Sequence, residues 1–72
     1  MGTHKDRALA MGRSIRTLRK RRNLTQKELA QLSGLSESSL RSYELGARYP
    51  KADGIARIAK ALAVPLECFD TC

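Results

Sequence analysis

The sequence predicts an all-α domain, a compact bundle of five short helices, and three observations lead there. The chain has 72 residues, and a domain this small buries only about 60% of the surface its unfolded chain exposes, so its core must pack economically. Its hydrophobic content of 42% is mainly aliphatic, with two Tyr, one Phe and no Trp. Apolar residues recur at helical intervals in successive segments that are punctuated by Asn, Gly and Pro.

The first helix is predicted over residues 8–22, where Leu9, Met11, Ile15 and Leu18 form the inward stripe and Arg13, Arg16, Lys20 and Arg21 lie elsewhere around it. Residues 1–11 read as a flexible N-terminal extension to a domain over 12–70, because Met11 heads a segment that could stand as a complete N-terminus. Asn23 breaks the pattern. Thr25 then opens a second helix, about Gln26–Ser33, with Glu28 completing a Thr-x-x-Glu capping box. Gly34 suits a left-handed turn because it lacks a Cβ. Ser36 is the next N-cap, and Leu40 and Tyr43 give the inward stripe of a third helix that ends near Leu45 before Gly46. After the GARYP loop, Ile55, Ile58, Ala59 and Leu62 mark a fourth helix over about Ala52–Ala63. Pro65 fits the first turn of a short fifth helix, which would return Leu66 and Phe69 to the core.

Charge narrows the function. Fourteen Lys and Arg against seven Asp and Glu leave a net charge of +7, a field that attracts polyanions without choosing among DNA, RNA and an acidic membrane surface. No apolar run approaches the ~20 residues of a membrane span, and the N-terminus has no signal-type apolar region. Cys68 and Cys72 stand four apart, a spacing that would close a trivially small loop and suits a disulfide poorly. A reducing, cytoplasmic setting is expected. Two thiols and a distant His4 fall short of a four-ligand metal site. Ser38, Ser39 and Ser42 have no partnering base, and no Gly-rich phosphate loop is present, so neither an enzyme nor a bound cofactor is expected.

The informative segment is QKELAQLSGLSESSLRSYEL, residues 26–45. Two helices that cross closely through a short turn need a small residue on the first and Gly in the turn, the helix-turn-helix spacing. Ala30 and Gly34 occupy those places, while Leu29, Leu35, Leu40 and Tyr43 would hold the second helix down. That leaves Glu37, Ser38, Arg41 and Ser42 pointing outward as candidate base readers. Six of the ten residues Arg13 to Arg22 are basic, although one helix cannot turn every side to DNA. Arg48 and Lys51 are the better phosphate candidates, with Tyr49 placed to stack there, to donate to a phosphate or to pack against its loop.

LTQKELA, YELG, the loop proline and IAKALAV together resemble the Cro and repressor-type (XRE-like) helix-turn-helix domains over about residues 12–69. The resemblance implies a lambda-repressor-like fold and a sequence-specific transcriptional regulator of the repressor kind. Its third helix, about Ser36–Leu45, would lie in the major groove of double-stranded DNA. It implies that Gln26 braces that helix and touches a phosphate, with Thr25 helping at the same helix start, and that Arg19 pairs with Glu44; Ser39 joins the backbone candidates. Such domains usually bind as dimers on half-sites about one turn apart. Any dimer here is expected to use exposed parts of the fourth and fifth helices, near Leu66 and Cys68, and to form firmly only on DNA. Glu37 departs from the Gln common at the first exposed recognition position. A carboxylate accepts from cytosine N4 but cannot donate to adenine N7. Two other readings remain open: a DNA-binding antitoxin of a toxin–antitoxin pair, and a protein-interaction module with weak DNA binding.

Overall fold

The computed structural model describes residues 4–66 and Phe69. Four helices account for most of them: α1 (His4–Arg21), α2 (Gln26–Ser33), α3 (Glu37–Leu45) and α4 (Ala52–Leu62). No strand occurs among the described residues. The fifth helix expected after Pro65 falls largely outside them, as do Cys68 and Cys72. Phe69 is buried, and its N–H donates to the Leu66 carbonyl at 2.9 Å.

Helix α1 starts at His4 rather than near residue 8, so residues 4–11 of the stretch read as an extension are helical. The inward stripe also differs from the predicted one. Ala8, Met11, Gly12, Ile15 and Arg19 are buried, whereas Leu9, expected inside, is 36% exposed. These positions fall at separations of one, three and four, all on one face of a helix with 3.6 residues per turn.

The remaining boundaries follow from local chemistry. The Thr25 hydroxyl accepts from the Glu28 N–H at 3.0 Å, and the Glu28 carboxylate accepts from the Thr25 N–H at 2.8 Å. These reciprocal bonds satisfy two donors that the helix start would otherwise leave open. The Ser36 hydroxyl caps α3 by accepting from the Ser39 N–H at 3.0 Å. Each of the helices α1–α4 is followed within two residues by a residue with positive φ: Asn23, Gly34, Gly46 and Ala63. The following amide then reaches back, Leu24 to Arg19, Leu35 to Ala30, Ala47 to Ser42 and Val64 to Ala59, at 2.9–3.1 Å. This is the Schellman arrangement, which occupies carbonyls the last turn leaves open.

Three of these four ends use Gly or Asn, residues that tolerate the left-handed region, but α4 uses Ala63 (φ 57°, ψ 42°). A Cβ in that conformation costs roughly 1–2 kcal/mol, offset in part by the extra chain entropy that glycine loses on folding. Ala63→Gly is therefore expected to stabilise the domain by about 0.5–1 kcal/mol. Thermal unfolding should show a rise of about 4 °C.

Packing is pairwise, with α1 lying against α3 and α2 against α4. Ile15, Leu29, Leu40, Ile58 and Leu62 are fully enclosed where the four helices meet, each contributing about 1.5–3 kcal/mol of transfer free energy. The turn between α2 and α3 depends on Ala30, which is buried, and on Gly34 at φ 71°. The approach of α1 to α3 is closer still. A Cβ on Gly12 would overlap the Tyr43 carbonyl oxygen and lie 2.7 Å from the Glu44 carbonyl oxygen, so the helices meet backbone to backbone.

Candidate nucleic-acid interface

Three helices are joined by one polar cluster. The Arg19 guanidinium forks onto Glu44, Nε donating to Oε2 at 2.6 Å and the second amino nitrogen to Oε1 at 3.0 Å. Its remaining amino group donates to the Leu24 carbonyl at 2.7 Å, in the connection to α2. Gln26, the first residue of α2, donates from Nε2 to Glu44 Oε1 at 3.1 Å. The side chains of Arg19 and Glu44 are 11% and 3% exposed, so the cluster is largely shielded from water. Every side-chain polar atom buried among the described residues has a partner.

That cluster anchors the C-terminal end of α3; packing anchors its inner face through Leu40 and Tyr43, with Leu35 half-buried against the same core. The outer face carries Glu37, Ser38 and Arg41, all exposed. Glu37 and Arg41 are one turn apart and pair loosely at 3.8 Å. Ser42, expected to point outward with them, is half-buried. Ser39 is half-buried and tied into the N-terminal cap, its hydroxyl accepting from Ser36 Oγ at 2.9 Å.

Two further groups border this face. At the start of α2 the capping box occupies the Thr25 and Glu28 amides, leaving those of Gln26 and Lys27 to point outward with the positive end of the helix dipole. The second is the loop over 46–51. It exposes Arg48, Tyr49 and Lys51 around a buried Pro50. The Arg48 guanidinium sits 6.0 Å from the Tyr43 ring centroid and that of Arg7 sits 5.3 Å from the Tyr49 ring centroid. Lys51 precedes α4 without capping it through its side chain.

Sequence reasoning singled out neither Gly12, which sets how closely α3 lies on α1, nor Arg7. Arg16 was noted as part of a basic run, yet its position is specific. It lines an open cleft of about 240 Å³ with Arg19, Gln26, Glu44 and Leu45, where α1, α2 and α3 converge. Nothing in the basic run distinguishes Arg16 by sequence, and its place at the cleft appears only once α3 is laid against the Gly12 face of α1. Among the described residues, no group of three or more His, Cys, Asp or Glu could hold a metal ion, and no helix is long and apolar enough to cross a membrane.

Comparison with known proteins agrees with this architecture. A helix-turn-helix family model matches residues 15–67. An uncharacterized HTH-type transcriptional regulator of Mycobacterium tuberculosis, Rv0474, is 41% identical over 56 residues, covering 78% of this chain and 40% of the regulator. The HTH-type transcriptional repressor RghR of Bacillus subtilis is 39% identical over 59 residues, covering 81% of this chain and 44% of the repressor. The chain thus spans less than half the length of these curated relatives. Among solved structures, the restriction-modification controller protein C.AhdI from Aeromonas hydrophila superposes with a TM-score of 0.84 at 32% identity, covering 86% of this chain and 94% of that one. With a family model over most of its length and a controller protein matched almost end to end, this chain belongs to the helix-turn-helix family.

Proposed function

We propose that the chain is a sequence-specific transcriptional regulator, most simply a cytoplasmic repressor, that binds double-stranded DNA as a homodimer and lays α3 in the major groove. One observation carries the reading: an exposed polar face on α3 is held rigidly by a shielded cluster that spans three helices. Glu37 and Arg41 supply most of the direct readout, the carboxylate accepting from cytosine N4 and the guanidinium donating to guanine O6 and N7. Their mutual pair is exposed and one turn apart, so separating them on DNA costs only about 0.2–0.5 kcal/mol. Ser38 and Ser42 add short hydroxyl contacts. The backbone is gripped by the α2 start with Thr25 and Gln26, by Ser39, and by Arg48, Tyr49 and Lys51 from the loop. Arg16 extends that grip along the cleft. The dimer forms on DNA through the end of the chain near the exposed Leu66.

Binding-site selection on wild type, Glu37→Gln and Arg41→Ala at one salt concentration tests the assignment. Glu37→Gln is expected to shift preference at its position toward adenine. Arg41→Ala is expected to lose preference at a guanine, worth about 1–3 kcal/mol of discrimination. Wild-type affinity should fall steeply with salt, by about −0.9 in log–log slope for each phosphate neutralised. Identical preferences in all three proteins, or a slope near zero, would overturn it.

A further inference from the structure

The first turns of α1 lie against the loop after α3 at two points. The Arg7 guanidinium stands over the Tyr49 ring at 5.3 Å. Two residues further along α1, Leu9 packs on Gly46, where an added Cβ would come within 2.5 Å of Leu9 Cδ2 and 3.0 Å of its Cα. Ala8, between them, is buried. Gly46 opens the loop and Tyr49 stands near its end, so these contacts hold both ends of a segment that exposes Arg48, Tyr49 and Lys51.

We propose that Arg7 and Leu9 are positioning residues that order the 46–51 loop for docking on the DNA backbone, without themselves touching the nucleic acid. The proposal rests on the DNA-binding reading for its purpose, though not for its structural content. A short loop with no secondary structure of its own loses chain entropy when it docks, and ordering it beforehand removes that cost from the binding step. The cation over the ring supplies one restraint and keeps the Tyr49 ring from rotating away. The Leu9 side chain supplies the other, and it explains why a leucine near the start of α1 remains at the surface instead of entering the core.

The experiment has two arms. In the protein without DNA, backbone NMR order parameters over residues 47–51 are measured for wild type, Arg7→Gln, Arg7→Lys, Leu9→Ala and Tyr49→Phe. Arg7→Gln and Leu9→Ala should lower them, whereas Arg7→Lys and Tyr49→Phe, which keep the cation and the ring, should hold them near wild type. In the second arm, affinity for a selected DNA site is measured across salt. Arg7→Gln should weaken binding about two- to fivefold, leave the salt slope unchanged, and cause no further loss in a Tyr49→Leu background. Unchanged loop order in Arg7→Gln and Leu9→Ala would overturn the proposal. So would a salt slope reduced by about 0.9 in Arg7→Gln, which marks a direct phosphate contact. Loss of loop order in a protein whose wild type binds no DNA would instead leave the brace standing and remove the DNA-binding reading.

Discussion

Replacing Gly12 with alanine is expected to lower stability by about 2–3 kcal/mol, although alanine is the better helix former. Inside a helix, glycine to alanine ordinarily stabilises by about 0.5–1 kcal/mol. Here the new methyl would overlap the Tyr43 carbonyl oxygen and crowd the Glu44 carbonyl. Both obstacles are backbone atoms of α3, so no side-chain rotation can clear them. Either α1 and α3 separate or the last turn of α3 distorts, and overpacking of this kind typically costs about 1–3 kcal/mol. The same strain acts on Glu44, which the Arg19 cluster holds, so DNA affinity should fall with stability. Gly54 provides the contrast. It is also buried, but a Cβ there would meet Pro50 Cβ at 3.7 Å, an ordinary contact, so Gly54→Ala should be tolerated. Thermal unfolding of the two variants checks the argument, with a fall on the order of 10–20 °C expected for Gly12→Ala. Equal melting temperatures would show that α1 and α3 can move apart without loss.

The contrast between these glycines also marks what could be read from the sequence. The ends of α2 and α3 were legible because their causes are local: Thr25 with Glu28, Ser36 with Ser39, and Gly34 and Gly46 in left-handed turns are all specified within a few residues. The start of α1 was missed. Thr3 with Asp6 three residues on is a Thr-x-x-Asp start pattern that was passed over in favour of the apolar stripe, and the register of the helix depends on Met11 and Ile15 joining a core drawn from residues far along the chain. Leu9 was misplaced for a related reason, since spacing alone does not tell a core position from one that packs on a loop. Gly12 reads in isolation as a weakness in a helix, and its purpose appears only when α3 is laid across it. The Arg19–Glu44 partnership came from the family resemblance, because two oppositely charged residues on separate helices carry no spacing rule. Ser42 was assigned to the outer face from periodicity, which gives direction but not exposure, and it is half-buried.

Arg19→Ala is expected to be the most destabilising single change in the cluster, at about 3–5 kcal/mol. Arg19 provides two donors to Glu44 and a third to the Leu24 carbonyl. Truncation leaves a carboxylate whose side chain is 3% exposed, with the Gln26 amide at 3.1 Å as its remaining partner, and it also strips a donor from the connection to α2. A shielded charge without its counterion explains most of the loss, rather than the net strength of the pair. That distinction can be measured. Glu44→Leu in the Arg19→Met background removes both charges and fills the space with apolar atoms, which in other proteins is neutral or stabilising by about 1–4 kcal/mol. The double variant should therefore recover much of the melting temperature that Arg19→Ala loses. It should not recover DNA binding, because Gln26 would have no acceptor on α3 and the recognition face would lose the tie that orients it against the start of α2. Arg19→Lys should fall between, since one ammonium cannot reproduce the two-pronged geometry. A melting temperature unchanged in Arg19→Ala would mean that water replaces the guanidinium at no cost. Full DNA affinity in the apolar double variant would mean that packing alone orients α3, and that the cluster contributes to stability without serving recognition.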